Sequence, residues 1–331
     1  MATIRFLSRA DVIKALPMRD AIEGMKQAYA ALSAQAVDMP LRSRVSGKNE
    51  GVSLLMPARV QASREMAVKI VSVFPQNALL GLPTIHAIVL VLSAETGEVL
   101  AMMEGGSLTA IRTGAGAGAA TDILANQSAS KVAIIGSGVQ ARTQLEAVCT
   151  VRSIDSVAVY SPNKANAETF AQEMAGQGLI PSKVVAVDTA NEAIQDADII
   201  CTATSSHSPV FDGNLLKAGA HINGVGSYTP TMQEVDEVTL QRSRIYMDDR
   251  NAVLAEAGEI IIALANGSIN DTDLYAEIGA VVNNKQRGRQ SADEITYFKS
   301  VGVAVQDALG ASIALANAER LDIGTLLDLN T

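Results

Sequence analysis

The sequence is short of charged residues, has no basic excess and contains no long apolar run. Only 18% of its 331 residues are charged, against about 25% in an ordinary soluble chain. With 48% hydrophobic residues, that deficit predicts extensive burial, part of it in an oligomer interface. Lysine and arginine number 26 against 35 aspartate and glutamate, a formal net charge of −9. Without a basic stripe, neither nucleic acid nor an anionic membrane is expected as the main partner. No apolar run reaches the roughly 18 residues needed to span a bilayer. The opening MATIRFLSRADVIKAL lacks the apolar core and small-residue cleavage site of a secretory leader, so a cytoplasmic protein is expected. Two cysteines, Cys149 and Cys201, are too few for a disulfide framework and lack zinc-ligand spacing, so no metal is expected. There are no tandem repeats and no low-complexity linker.

At roughly 100–200 residues per domain, the length predicts two domains. Residues 1–36 read as helix, with Ser8 as a cap and Ile22, Met25, Tyr29 and Leu32 at helical spacing. Val52–Met56, Met66–Phe74 and Ile85–Leu92 are β-rich runs punctuated by Pro57, Pro75 and Gly81-Leu82-Pro83. Glu95-Thr96-Gly97-Glu98 then leads into Val99-Leu100-Ala101-Met102-Met103 as a hairpin. Residues 104–120 are dominated by Gly, Ala, Ser and Thr, which let a helix approach another backbone or a ligand closely. From Lys131 the pattern alternates strand and helix. Strands are expected at Lys131–Ile135, Ser156–Tyr160, Val184–Val187, Asp198–Ala203, Ala220–Val225 and, last, Arg244–Asp248. Runs buried on both faces with helical crossovers imply a doubly wound parallel sheet. From Tyr297 onward the chain reads as one long Ala-rich helix outside that rhythm.

Gly136-Ser137-Gly138-Val139-Gln140-Ala141 follows the strand KVAII and opens a helix, the context that gives a G-x-G-x-x-G/A pattern meaning. The first glycine permits the tight turn, the second lets backbone approach a pyrophosphate, and Ala141 keeps helix and strand close. The free N–H groups of the helix then face the anion. The next strand ends at Tyr160-Ser161-Pro162-Asn163-Lys164, where an NAD site usually carries an acid for the adenosine ribose. With Ser161 there, nothing repels a 2′-phosphate, and Ser161, Asn163 and Lys164 can bond to it at a helix start. NADP(H) is the expected cofactor, with NAD(H) also accepted. Thr202, Ala203 and Thr204 end a later strand at the same edge. His207 reads as a loop residue, Cys149 and Cys201 as small buried hydrophobes, and the Met66, Met102 and Met103 cluster as core.

These residues resemble the ornithine cyclodeaminase/mu-crystallin superfamily, which also holds archaeal alanine dehydrogenases and ketimine reductases. The carriers are Met39-Pro40-Leu41-Arg42, Ala67-Val68-Lys69, Leu108 to Thr113, the fingerprint, His221 to Gly226, and Phe298 to Gly302. The resemblance implies an α/β chain: a Rossmann-type domain over 113–301 and an α+β substrate and dimerisation domain over 1–112 with 302–331. It implies a homodimer in which Arg42, Lys69 and Arg112 hold a substrate carboxylate, while Thr113, Val225, Gly226 and Val301 join the fingerprint around the cofactor. A guanidinium fork matches a carboxylate bidentately, and Arg112, amid Ala, Gly and Thr, should be buried and need an anion. Lys69, His86 or an ordered water is expected to supply a proton.

One departure bears on the reaction. In the cyclodeaminases and alanine dehydrogenases of this family, the residue two before Pro230 resembles a catalytic Asp; here it is Tyr228, expected beside the substrate. A phenol is neutral at pH 7 and cannot replace that charge. Glu234 or Asp236 serving instead is the alternative. The resemblance therefore implies a ketimine reductase, forming L-proline from Δ1-pyrroline-2-carboxylate or L-pipecolate from Δ1-piperideine-2-carboxylate. Ornithine cyclodeaminase, alanine dehydrogenase and a non-enzymatic NADP-dependent binding protein are the rival expectations.

Overall fold

The computed structural model describes residues 3–328; residues 1–2 and 329–331, at the ends of the expected first domain, lie outside the described residues. The chain divides into two compact units, one formed by residues up to Arg112 together with those from Ala304, the other by Thr113–Val303. In chain order, the first unit opens with β1 (Thr3–Leu7), α1 (Arg9–Ala15) and α2 (Met18–Ser33). It continues through β2 (Val37–Asp38), β3 (Ser43–Ser46), β4 (Val52–Val60), β5 (Glu65–Val73), β6 (Ile85–Ser93) and β7 (Val99–Glu104), and then enters α3 (Gly105–Leu124). The second unit follows as β8 (Lys131–Ile135), α4 (Val139–Val151), β9 (Ser156–Tyr160), α5 (Lys164–Met174), β10 (Val184–Ala186), α6 (Ala190–Ile194), β11 (Ile199–Thr202) and β12 (His221–Gly224). Then come α7 (Glu237–Arg242), β13 (Ser243–Met247), α8 (Arg250–Glu256), α9 (Gly258–Ala265), β14 (Leu274–Glu277), α10 (Ile278–Val282) and β15 (Ile295–Lys299). Finally α11 (Ala304–Leu321) and β16 (Thr325–Asp328) return to the first unit.

In the second unit every pairing is parallel, in the order β10-β9-β8-β11-β12-β15-β13-β14. Alternate residues feed two cores. Val132 and Ile134 pack with Leu145 of α4 and Phe170 of α5, whereas Ala133 and Ile135 pack with Ile194, Leu240 and Ile260. A sheet buried on both faces by helices is the doubly wound arrangement that the apolar strand runs imply. The order reverses beside β8, which puts a crevice outside the carboxyl ends of β8 and β11.

The first unit's sheet runs β16-β1-β7-β6-β5-β4-β2, with β3 also on β4. It is antiparallel except where β1 lies parallel to β7. One face lies under α11, and its registered rows are Met56–Lys69–Val89–Met103 and Ala58–Ala67–Val91–Ala101. All eight side chains are buried. The α3 start is fixed by the Glu104 carboxylate, which accepts from the N–H groups of Gly106 (2.6 Å) and Ser107 (2.8 Å).

Four expectations of local structure are corrected. Residues 3–7 form a strand, not helix, because the alternation in Thr3–Leu7 gives β1 a place between β7 and β16. Pro57 does not end its strand: β4 runs on to Val60 with Pro57 opposite Val68. The helix expected from Tyr297 begins at Ala304, since Tyr297 is in β15, a fully buried parallel strand that short apolar runs cannot distinguish from helix. The strand at Arg244–Asp248 is likewise not the last of its sheet, because β14 and β15 come after it.

Candidate functional site

Lys69 interrupts an otherwise apolar row of the helix-covered sheet face and is only 2% exposed. A buried ammonium needs an anion. It is Asp307, in the first turn of α11, whose Oδ2 lies 2.6 Å from Lys69 Nζ. The other carboxylate oxygen accepts from Arg112 Nε at 3.0 Å, and Arg112 Nη1 donates to Gln306 Oε1 at 3.1 Å. Gln306 in turn donates to the Tyr29 hydroxyl at 2.8 Å. Lys69, Arg112, Asp307 and Gln306 are all buried, and two cations against one carboxylate leave one uncompensated positive charge. Among the described residues, Arg112 Nη2 makes no hydrogen bond.

Burial pushes the Lys69 ammonium down to about 8; Asp307 opposes that shift, and the Arg112 and Arg42 charges add to it. Burial works to raise the Asp307 carboxyl, but Arg112 and Lys69 hold it below the usual carboxylate range. Arg42, half-buried between β2 and β3, is thus within electrostatic reach of Lys69. His86 is elsewhere. It is exposed on β6, three residues from Val89, and successive strand residues alternate faces, so it stands on the sheet face opposite Lys69.

The second unit builds its edge around the β8–α4 turn. Gly136 sits at φ +108, and a Cβ there would come within 2.5 Å of the Ala203 carbonyl, so only glycine closes this turn. Gly138 has no such neighbour: its Cβ position opens into empty space. A glycine with room on that side is a cradle for a close ligand backbone, which fits a dinucleotide pyrophosphate at the α4 N-terminus. Ala141 is buried against the sheet, Val139 is exposed and Gln140 is half-buried. A cavity of 850 Å3 is lined by Gly136, Ser137, Gly138, Arg142, Ser161 and Thr204, among others. Ser137 Oγ donates to Ser161 Oγ at 3.1 Å. Asn163 accepts from the Ala165 N–H at 3.1 Å as the cap of α5, and Lys164 pairs with Asp188.

Two buried carboxylates fix the neighbouring loops. Glu234 accepts from Thr202 Oγ1 (2.9 Å), Thr204 N (2.6 Å), Thr204 Oγ1 (2.8 Å), Gly226 N (2.7 Å) and Ser227 N (3.2 Å), tying the end of β11 to the end of β12. Asp248 accepts from Ser300 Oγ (2.8 Å), Val301 N (2.9 Å) and Gly302 N (2.8 Å) beyond β15. Burial raises both carboxyls; Lys299 opposes the shift at Glu234, and hydrogen bonds from Gly302 and Ser300 oppose it at Asp248. Glu234 is therefore committed to neighbouring hydroxyls and backbone N–H groups, as is Asp236, which caps α7 by accepting from Thr239 N at 2.8 Å and Thr239 Oγ1 at 2.7 Å. Tyr228 is 51% exposed beside this clamp, Thr113 is buried in α3, and Ala203 and Val225 are half-buried at the sheet edge.

Sequence reasoning missed Asp307, Gln306, Asp248 and Arg142. Asp307 had one signal, a lone acid in the first turn of an apolar helix, while Glu234 was weighed only as a catalytic acid. Among the described residues no helix is long and apolar enough to cross a membrane, and no group of three His, Cys, Asp or Glu could hold a metal ion.

The model of the ornithine cyclodeaminase/mu-crystallin family matches residues 3–320. A Δ1-pyrroline-2-carboxylate reductase of Bacillus cereus is 38% identical over 308 residues, covering 91% of this chain and 94% of that protein. The structure of Thermococcus litoralis Δ1-pyrroline-2-carboxylate reductase in complex with NADH and L-proline superposes with a TM-score of 0.92 at 39% identity, covering 97% of this chain and 99% of that one. An archaeal alanine dehydrogenase dimer with bound NAD gives a TM-score of 0.91 at 31% identity over 99% of both chains. On the span of that match and the level of identity, this chain belongs to the ornithine cyclodeaminase/mu-crystallin family.

Proposed function

We propose that this chain reduces Δ1-pyrroline-2-carboxylate to L-proline with a reduced nicotinamide dinucleotide, NADPH in preference to NADH. The observation that carries the reading is the excess positive charge of the buried Lys69–Asp307–Arg112 cluster. One carboxylate of a small imino acid balances it, and Arg112 and Arg42 hold that carboxylate. Lys69, titrating at about 8, keeps a proton at neutral pH and gives it to the imine nitrogen. A reduced nicotinamide dinucleotide, when bound, would supply the hydride for C2, with the C=N π pair passing to the nitrogen that Lys69 protonates. Lys69 takes this role in preference to His86, which is on the other sheet face. The Gly136–Ala141 turn, Ser161 and the loops held by Glu234 and Asp248 seat the dinucleotide. Two relatives, one named as a reductase of the five-membered imine and one solved in complex with L-proline, support the choice of ring.

Tyr228 stands where an acid is expected, Glu234 and Asp236 are engaged by hydroxyls and backbone N–H groups, and Asp307 is paired with Lys69 and Arg112; none of these carboxylates is unpaired to take a substrate ammonium, which supports reduction over deamination. A cytoplasmic homodimer is part of the reading. The sheet face opposite α11 carries Leu55, Val68, Ile70, Ile88 and Leu90, partly exposed in the chain alone, as an interface between copies requires. The test is spectrophotometric. NADPH oxidation at 340 nm that is stoichiometric with the five-membered imine supports the proposal. Ammonia release from ornithine without net absorbance change refutes it, and turnover of pyruvate with ammonia favours the alanine dehydrogenase reading.

A further inference from the structure

The cation that lines the cavity is not the one the sequence points to. Lys164 and its partner Asp188, 2.5 Å apart, are 60% and 72% exposed, and neither lines the cavity. Asn163 spends its side-chain oxygen on the α5 cap. Arg142 does line the cavity, with Ser137, Ser161 and Asn166. It is the residue after the fingerprint's Ala141, one turn into α4. Its Nη1 donates to the Ser137 carbonyl and, at 3.3 Å, to the Gly138 carbonyl, which pins the guanidinium to the very loop that approaches the pyrophosphate. The Phe170 ring, 5.1 Å from Cζ, holds the guanidinium plane. Nη2 pairs with the Glu173 carboxylate of α5, a residue 54% exposed.

From this geometry we infer that Arg142 is the specificity-determining residue for a ribose 2′-phosphate, and that Glu173 is the placeholder this phosphate displaces. The inference rests on the dinucleotide reading above. A 2′-phosphate is close to a dianion at neutral pH and offers three acceptor oxygens to a planar fork. The exposed Glu173 pair is weak by comparison, as surface ion pairs are. Ser161, hydrogen-bonded to Ser137, places a neutral hydroxyl where an acid would repel that phosphate. The ribose 2′-hydroxyl of NADH offers the guanidinium one neutral acceptor and no charge, so the residue separates the two cofactors without being needed for either to enter.

The test measures dissociation constants for NADPH and NADH by calorimetry, without imine, in the wild type and in Arg142→Ala, Lys164→Ala and Glu173→Gln. Arg142→Ala is expected to weaken NADPH by about 10- to 100-fold, the range of a lost charge-assisted contact, and NADH by less than about threefold. Lys164→Ala leaves both within about twofold, and Glu173→Gln tightens NADPH alone. Equal weakening of both cofactors by Arg142→Ala overturns the inference, because it leaves Arg142 only the loop carbonyls to hold. A selective NADPH loss in Lys164→Ala, or a wild type that binds NADH more tightly, overturns it as well. Because binding is read without turnover, failure of the reductase reading appears separately, as tight cofactor binding with an inert imine.

Discussion

Replacing Asp307 with asparagine removes the single anion that both Lys69 and Arg112 use, and the size of the effect can be worked from the geometry. Lys69 titrates at about 8 because burial depresses it while Asp307 holds it up, so the substitution drives it lower still. Loss of an opposite charge at this range moves a titration by about 1–3 pH units. With protonated Lys69 as the proposed donor to the imine nitrogen, the alkaline limb of the kcat/KM profile should move from near 8 toward acid by that amount. Stability follows the same linkage. A lysine whose titration is lowered on folding is penalised in its charged form, so its contribution improves as pH rises between about 8 and 10.5 and is worst below 8. In the variant, the chain escapes the unpaired charge by releasing the proton. That release costs about 1.4 kcal/mol for each pH unit below 8, until the variant's own lower titration point is reached. The loss of stability should therefore be on the order of 1–2 kcal/mol at pH 7 and roughly double at pH 6, before any lost Arg112 contact is counted. Profiles of kcat/KM against pH and melting curves at pH 6, 7 and 8 measure both. An unmoved alkaline limb with a pH-independent fall in Tm would refute the coupling of Lys69 to Asp307.

Arg112→Ala should lower kcat/KM for the imine by about 10²–10³-fold while leaving the NADPH dissociation constant nearly intact, and undiminished turnover would remove the carboxylate grip. Glu234→Ala strips the acceptor from two side-chain hydroxyls and three backbone N–H groups, so dinucleotide affinity measured by fluorescence should fall at least about tenfold. Glu234→Gln should recover part of it, since the amide oxygen still accepts. Ile70→Lys with Ile88→Lys on the outer sheet face should convert a dimer to monomers in light scattering, with the second unit's dinucleotide binding preserved; an unchanged mass places the interface elsewhere.

The second unit was legible because its signals are local. Apolar runs such as KVAII, a glycine turn and the following helix sit within a few residues of one another, and the first glycine of the fingerprint is required by the close approach of the Ala203 carbonyl. The family was legible from motifs spread along the chain. What escaped the sequence was long-range pairing between side chains. Arg112 was recognised as a buried cation in need of an anion, but its partner lies 195 residues later on a helix whose alanines read as packing. Glu234 was seen as a carboxylate near Tyr228, yet spacing cannot reveal that both its oxygens are filled by loop donors. His86 was placed by its neighbourhood in the chain, and only strand register assigns it a face. The missed strands β14 and β15 are short, β15 paired on both sides inside the sheet and β14 at its edge against β13, and four or five residues carry too weak a periodicity to read.

The discontinuity of the first unit has a consequence for biosynthesis. A ribosome extrudes Lys69 and Arg112 well before Asp307, and the whole contiguous parallel-sheet unit is made in between. Until α11 docks, Lys69 on the emerging sheet and Arg112 on α3 lack the Asp307 counter-ion, so closure of this unit waits for the final stretch of synthesis. Completion of the fold and formation of the Lys69–Asp307–Arg112 cluster are then a single event, and a nascent chain stalled before α11 has neither.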